Sequence, residues 1–254
     1  MPGLIGQVST AEGEIASQRF CAALERMRRH PRLSVHSLDG AAWRLSHLVL
    51  QPQSPGPPAG AESRAMPVVF HGVLHNARAL RAEAIEPSAD ESAAGLVAGL
   101  YRQHDVNFVA RLEGEFSLAL VDEARRRVIL ATDPIGSYPL YWRADADGFT
   151  FGSDPSAVLR AAPRASQLNL RAVADYLTTG AVLGDKTLAK DVQLLDPGTL
   201  LVYDMDAGRV TLEPYARLSS FFQHQWSDYQ AYLEAVEAAF NQAVRRAMTA
   251  DAPI

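Results

Sequence analysis

The chain has 254 residues, 48% hydrophobic and 21% charged, a formal net charge of −5 and one cysteine, Cys21. That length buries a sizeable core as one domain or one domain with an appendage; the acidic balance gives no electrostatic footprint for nucleic acid, and a lone cysteine excludes an intramolecular disulfide and a cysteine-built metal centre. No apolar run reaches the roughly 20 residues that span a bilayer, and the N-terminus lacks a signal pattern, so the expectation is a cytoplasmic protein with neither a membrane nor a nucleic-acid partner.

In chain order, residues 3–8 (GLIGQV) read as a short apolar strand. Residues 14–29 set Phe20, Leu24 and Met27 at i, i+4 and i+7 and end in basic residues, the pattern of an amphipathic helix. Cys21 lies on that helix and is expected to be a buried thiol that fills core space. Residues 33–38 and 43–50 read as two strands around an Asp-Gly turn. The stretch 51–67, rich in Pro, Gly and Ser, reads as a surface loop. Residues 68–74 form another strand-like run, followed by a short helix, and 91–102 read as a helix of small apolar residues.

The block 109–142 organises the chain. FSLALV (116–121) and VILA (128–131) flank the charged turn DEARRR, which predicts an antiparallel hairpin. Consecutive rather than alternating apolar residues predict strands covered on both faces. Pro134, Gly136 and Pro139 then break regularity, and 148–153 read as a third strand. Asp133, at the head of this loop, fits a structural turn role. Leu170–Thr179 reads as a helix stopped by Gly180, and 194–203 as a turn at Pro197-Gly198 followed by a strand. Beyond Pro214, Ser227 and Gln230 suit a capping box for a helix to about Met248, with Tyr229, Leu233, Val236, Phe240 and Val244 on one apolar face that needs a partner.

LEGEFSLALVD, DPIGSYPLYW and FTFGSDPSAVL, in this order and spacing, resemble the N-terminal domain of asparagine synthetases and other class II glutamine amidotransferases. The likeness extends from MPGLIG through LNLRAVADYLTTGAVLGDKTLAKDVQLLDPGTLLVYD. It implies an α+β fold, the four-layer αββα sandwich of N-terminal-nucleophile hydrolases, over residues 1–215. Residues 216–254 would then be a linker and the first helix of an ATP-dependent synthetase domain. The sequence holds no glycine-serine pyrophosphate loop for that domain.

The resemblance also implies a glutaminase pocket, and this sequence departs from it throughout. Where the family has its nucleophilic cysteine stands Pro2, which lacks the thiol needed for acyl transfer. The family's "H.RL" arginine, a clamp for glutamine's carboxylate, is Val49, and an isopropyl group makes no bidentate contact. The "NGE" triplet is His71-Gly72-Val73: the glycine N–H survives, but the asparagine amide donor and the glutamate do not. The acid for glutamine's α-ammonium falls at Ala93, counting back from Tyr101, with Asp90 or Glu91 as alternatives under a shifted alignment. Thr132 replaces the arginine of the "RD" pair. The expectation is a vestigial pocket and no catalytic residue in this segment. His71 and His75, four apart, fall on a strand and its exit with no third ligand placed, and no metal site is expected.

Three functions follow. The first is the degenerate N-terminal domain of an asparagine-synthetase-like ligase, as in β-lactam synthetases and lasso-peptide macrolactam cyclases, with ATP and Mg²⁺ serving its synthetase domain and none in this segment. Its partners would be that domain, a carboxylate substrate such as a peptide, and a second copy in a homo-oligomer. The second is a non-catalytic binding or scaffold module; the third is an asparagine synthetase using glutamine or free ammonia.

Overall fold

Two six-stranded antiparallel sheets form the centre of the fold, and the doubly apolar strands of the sequence are the reason they stack. In a computed structural model, residues 2–9, 14–50, 61–63, 66–83, 90, 92–162, 164–223 and 228–247 are described. The strands are β1 (Gly3–Ser9), β2 (Leu33–Asp39), β3 (Trp43–Leu50), β4 (Ala61–Ser63), β5 (Val68–Leu74), β6 (Gly114–Asp122), β7 (Arg127–Thr132), β8 (Tyr141–Asp145), β9 (Gly148–Gly152), β10 (Gln193–Leu194), β11 (Thr199–Asp204) and β12 (Arg209–Pro214). The helices are α1 (Glu14–Met27), α2 (Ala77–Glu83), α3 (Ala93–His104), α4 (Pro155–Ala161), α5 (Leu170–Thr179) and α6 (Tyr229–Ala247). One sheet runs β10-β8-β9-β1-β3-β2 and the other β12-β11-β7-β6-β5-β4.

Alternation along each strand divides the apolar residues among three cores. Leu4, Trp43, Leu45, Val69, Ala119, Val121, Leu130, Phe149, Leu201 and Tyr203 meet between the sheets. Their strand neighbours point outward: Ile5 and Leu48 pack under α1 and α4 with Phe20, Ala23, Met27 and Ala157. Val68, Phe70, Leu118 and Leu120 pack under α3 with Leu96, Val97, Leu100 and Tyr101. The layers are therefore helix, sheet, sheet, helix. Both faces of the β6–β7 hairpin are covered, which is why FSLALV and VILA show no polar alternation.

Local chemistry sets the helix ends. Asp154 caps α4 by accepting the Ser156 N–H, with Pro155 opening the helix where a missing N–H costs nothing. Asn169 caps α5, and Gly180 closes it in the left-handed conformation at φ 79°. Ser92 caps α3, so that helix begins two residues after the expected start, and Glu91 lies outside the described residues.

Several expectations change. Cys21 is exposed, not buried: α1 turns Phe20, Ala23 and Met27 to the core and Cys21 to the outside. Within the expected loop 51–67, residues 61–63 form the edge strand β4, paired with β5, while 51–60 and 64–65 lie outside the described residues. The hairpin β11–β12 continues past the strand read from the sequence, because polar Thr211 and Glu213 of this exposed edge strand mask its pattern. Ser227 also lies outside the described residues; Asp228 receives the Ala231 N–H at 3.1 Å and caps α6 instead.

The apolar face of α6 is exposed at Tyr229, Leu233, Val236, Phe240 and Val244. Most helical stability in proteins comes from packing an apolar face, and these five residues of the 19-residue α6 lack that cover. Hydrogen exchange on this chain should therefore show the α6 amides exchanging much faster than those of the β6–β7 hairpin; equal protection in a monomer would make α6 an integral part of this domain.

Candidate functional site

The inter-sheet core turns polar at one end. On β3, Trp43, Leu45, His47 and Val49 share the inward face, and on β5 so do Val69, His71 and Val73. His47 Nε2 and His71 Nδ1 meet at 3.1 Å across the two sheets, with the rings edge to face at 5.4 Å. Tyr138, from the loop after β7, packs edge to face on His71 at 4.8 Å. Ser117 stands opposite His71 on one side and opposite Thr132 on the other. Its buried hydroxyl has no hydrogen-bond partner among the described residues.

Both imidazoles are almost wholly buried. One ring must donate and the other accept across this contact. Burial first, and the charge on His47 second, hold the His71 pKa down to about 4.

The head of β1 is fastened to the same end. The Leu4 N–H donates to Ser153 Oγ at 3.0 Å, and the Ser153 N–H donates to the Leu4 carbonyl at 2.9 Å. Gly3, at φ 144°, admits Ser153 where a Cβ would approach Oγ to 2.5 Å. Gly3 pairs with Leu48, and continuing that register one step sets the exposed Pro2 against Val49.

The expected pocket positions divide. Val49, His71, Gly72 and Val73 gather at this end, with Pro2 at its edge. Val49 is buried and Val73 is 41% exposed, opposite Glu115. Gly72, at φ 130°, lets β5 and β6 approach where a Cβ would lie 2.0 Å from the Glu115 carbonyl oxygen. Ala93 instead opens α3 and packs against the core of the helix layer. Asp90, the alternative acid, accepts the Ser92 N–H at 3.0 Å just before that helix. Thr132 donates its hydroxyl to the Asp196 carbonyl, and Tyr215 donates to the Thr132 carbonyl at 2.6 Å.

Asp133 has the turn role its sequence setting predicts. Its buried carboxylate accepts N–H groups from Phe116, Ile135, Gly136 and Ser137 at 2.8–3.1 Å and the Ser137 hydroxyl at 3.3 Å. This holds the loop that delivers Tyr138 to His71. The sequence reading missed His47, Ser117, Tyr138 and Ser153; the signal available was a lone polar residue on the inward face of an otherwise apolar strand.

Two measurements follow. For His71 the folded pKa of about 4 lies below the ordinary 6.5, so the unfolded chain takes up the proton first. The stabilisation is full above about pH 6.5 and is lost as pH falls toward 4, roughly 3 kcal/mol in all; His71→Gln should remove that segment of the stability–pH curve in urea melts. Asp133→Ala should cost about 3 kcal/mol or more in the same melts, since several N–H groups lose their acceptor at once.

A family profile described as a glutamine amidotransferase domain matches residues 25–216. Asparagine synthetase [glutamine-hydrolyzing] 1 of Bacillus subtilis is 22% identical over 210 residues, 81% of this chain and 32% of the relative. A putative asparagine synthetase of Mycobacterium bovis is 28% identical over 209 residues, 74% of this chain and 32% of the relative. This chain therefore spans about a third of the curated relatives it matches. Among solved structures, the glutamine phosphoribosylpyrophosphate amidotransferase of B. subtilis superposes with a TM-score of 0.52 at 14% identity, covering 84% of this chain and 49% of that one. At that identity the likeness concerns the fold, and it agrees with the four layers described above.

Proposed function

This chain belongs to the glutamine amidotransferase domain family, with asparagine synthetase homologues over its N-terminal part, and we propose that it is a member without glutaminase activity. The observation that carries the reading is the pair Val49 and Val73 at the polar end of the inter-sheet core, where the resemblance calls for an arginine and a glutamate. An isopropyl group at position 49 cannot clamp the carboxylate of glutamine, and one at position 73 brings no carboxylate to the pocket. Pro2, at the nucleophile's position, brings no thiol. The His47–His71 pair stands at this end as an internally hydrogen-bonded unit.

On this reading the domain belongs to an ATP-dependent amide-forming ligase of the asparagine-synthetase type. A synthetase domain, using ATP and Mg²⁺, would adenylate a carboxylate, and an amine of the substrate itself would attack it, as in β-lactam synthetases and lasso-peptide macrolactam cyclases. Such an enzyme needs no ammonia from glutamine, which accounts for the joint loss of nucleophile, clamp and counter-charge. Residues 216–254 are the linker and first helix toward that domain, and the exposed face of α6 is its contact. A cytoplasmic location fits an ATP-consuming reaction. Support comes from the homologues, whose length leaves about two thirds beyond the part matched here.

The test is glutamate release from glutamine by the wild-type chain and by Pro2→Cys, with methionine removal checked by mass spectrometry. Neither should turn over. Positioning accounts for about 7–11 kcal/mol of a barrier in favourable cases, so a thiol without the orienting contacts remains idle. Turnover by wild type ends the reading, and turnover by Pro2→Cys alone would show that groups other than positions 49 and 73 hold the substrate.

A further inference from the structure

The helix layer that covers β1 and β3 carries a groove of its own. α1 and α4 lie side by side over a core of Phe20, Ala23, Met27 and Ala157. Their contacts step in opposite directions: Arg29 reaches Asp154 at 3.6 Å, and Arg26 reaches Ser156 at 3.3 Å. One turn further on, the seam opens into a groove of about 630 Å³, within the ~300–1,000 Å³ of small-molecule sites. It is lined by Ala22, Glu25 and Arg26 of α1 and by Ser156, Leu159 and Arg160 of α4.

Three charged side chains in this lining are not paired with one another. Arg26 Nε donates to Ser156 Oγ, which donates in turn to the buried Asp154 at 2.6 Å. That chain pins the guanidinium, while its two terminal nitrogens engage no partner among the described residues. The side chains of Arg160 and Glu25 make no hydrogen bond or ion pair among the described residues either. Both arginines occupy the last turn of their helices, where the dipole favours a cation, so each is stable there with donors to spare. Ser156 and Arg160 are one turn apart on α4, about 6 Å of rise, so the guanidinium held at Ser156 and that of Arg160 mark the ends of a short span.

We propose that this groove binds a dicarboxylic α-amino acid, one carboxylate on Arg26, the other on Arg160 and the ammonium on Glu25. A guanidinium fork takes a carboxylate through two parallel hydrogen bonds, and two cations with one anion are the complement of a ligand with two carboxylates and one ammonium. The small Ala22 leaves room for the chain between them, and Leu159 gives its methylenes an apolar wall. Glu25 decides the class, since a plain dianion such as phosphate would be repelled by it. The groove lies in the outer helix layer, away from the polar end between the sheets, and does not rest on the loss of glutaminase activity.

Isothermal titration calorimetry of the wild-type chain with L-glutamate, L-aspartate, glutarate and inorganic phosphate, each to about 10 mM, tests this. At least one of the two amino acids should bind with a Kd of about 1 mM or tighter, with glutarate about tenfold weaker and phosphate weaker still. Arg160→Gln should weaken the amino acid and glutarate alike by about tenfold, the loss of one bidentate contact. Glu25→Gln should weaken the amino acid by a similar factor and leave glutarate unchanged or tighter. Both side chains are exposed, so both variants should keep the wild-type melting temperature, and a change in binding then reports the groove. The proposal is overturned if neither amino acid binds, if phosphate binds as tightly as the amino acid, or if either variant leaves amino-acid binding intact. Neither substitution touches positions 2, 49 or 73, so glutamate release from glutamine is read separately in the same variants.

Discussion

Stacking two sheets face to face imposes one condition on everything between them: no water enters, so every polar group there must find its partner inside. Most of the inner face meets the condition by being apolar, from Val8 and Trp43 to Tyr203. The exception is the end where β1 begins. There His47 and His71 satisfy each other across the gap, and Tyr138 closes the aromatic side. The loop after β7 is in turn held by Asp133, whose carboxylate gathers backbone donors from two directions. The hydrogen bonding of the polar end is thus a consequence of sheet packing.

Much of the architecture was legible because strong local signals agreed with the global fold. The β6–β7 hairpin was announced by two apolar runs about a charged turn, α5 by its stop at Gly180, and the fold class by the order of three motif blocks. The places that failed share a physical reason. The strand β12 lies at an edge, and its polar Thr211 and Glu213 look like loop. Cys21 sits one residue after the buried Phe20, and a helical reading assigns its face only if the phase is right to one position. The His47–His71 pair joins strands that the sequence separates and the two sheets bring together, so no spacing in the chain could have announced it.

The site shows the same division. Val49, His71 and Val73 stand apart in the sequence, and the structure places them at one end of the inter-sheet face. Ala93 opens α3 and packs against the core of the helix layer, a placement that counting back from Tyr101 leaves undetermined. The polar end is closed by an imidazole pair whose two rings hydrogen-bond each other across the sheets. Its parts still satisfy one another, apart from the Ser117 hydroxyl.

The position of β1 has a further implication for how the molecule is made. This first strand of the chain lies in the middle of its sheet, between β3 and β9, and its clasp joins Leu4 to Ser153, 149 residues away. At a synthesis rate of roughly 5–20 residues per second, β9 leaves the ribosome on the order of ten seconds after β1. During that interval β1 has only β3 beside it, and an edge of unpaired amides and carbonyls stands open to any other nascent chain. A central strand of the finished sheet is therefore the one that spends longest half-paired, and the chain's exposure to misassembly is concentrated in the time before residue 153 is made.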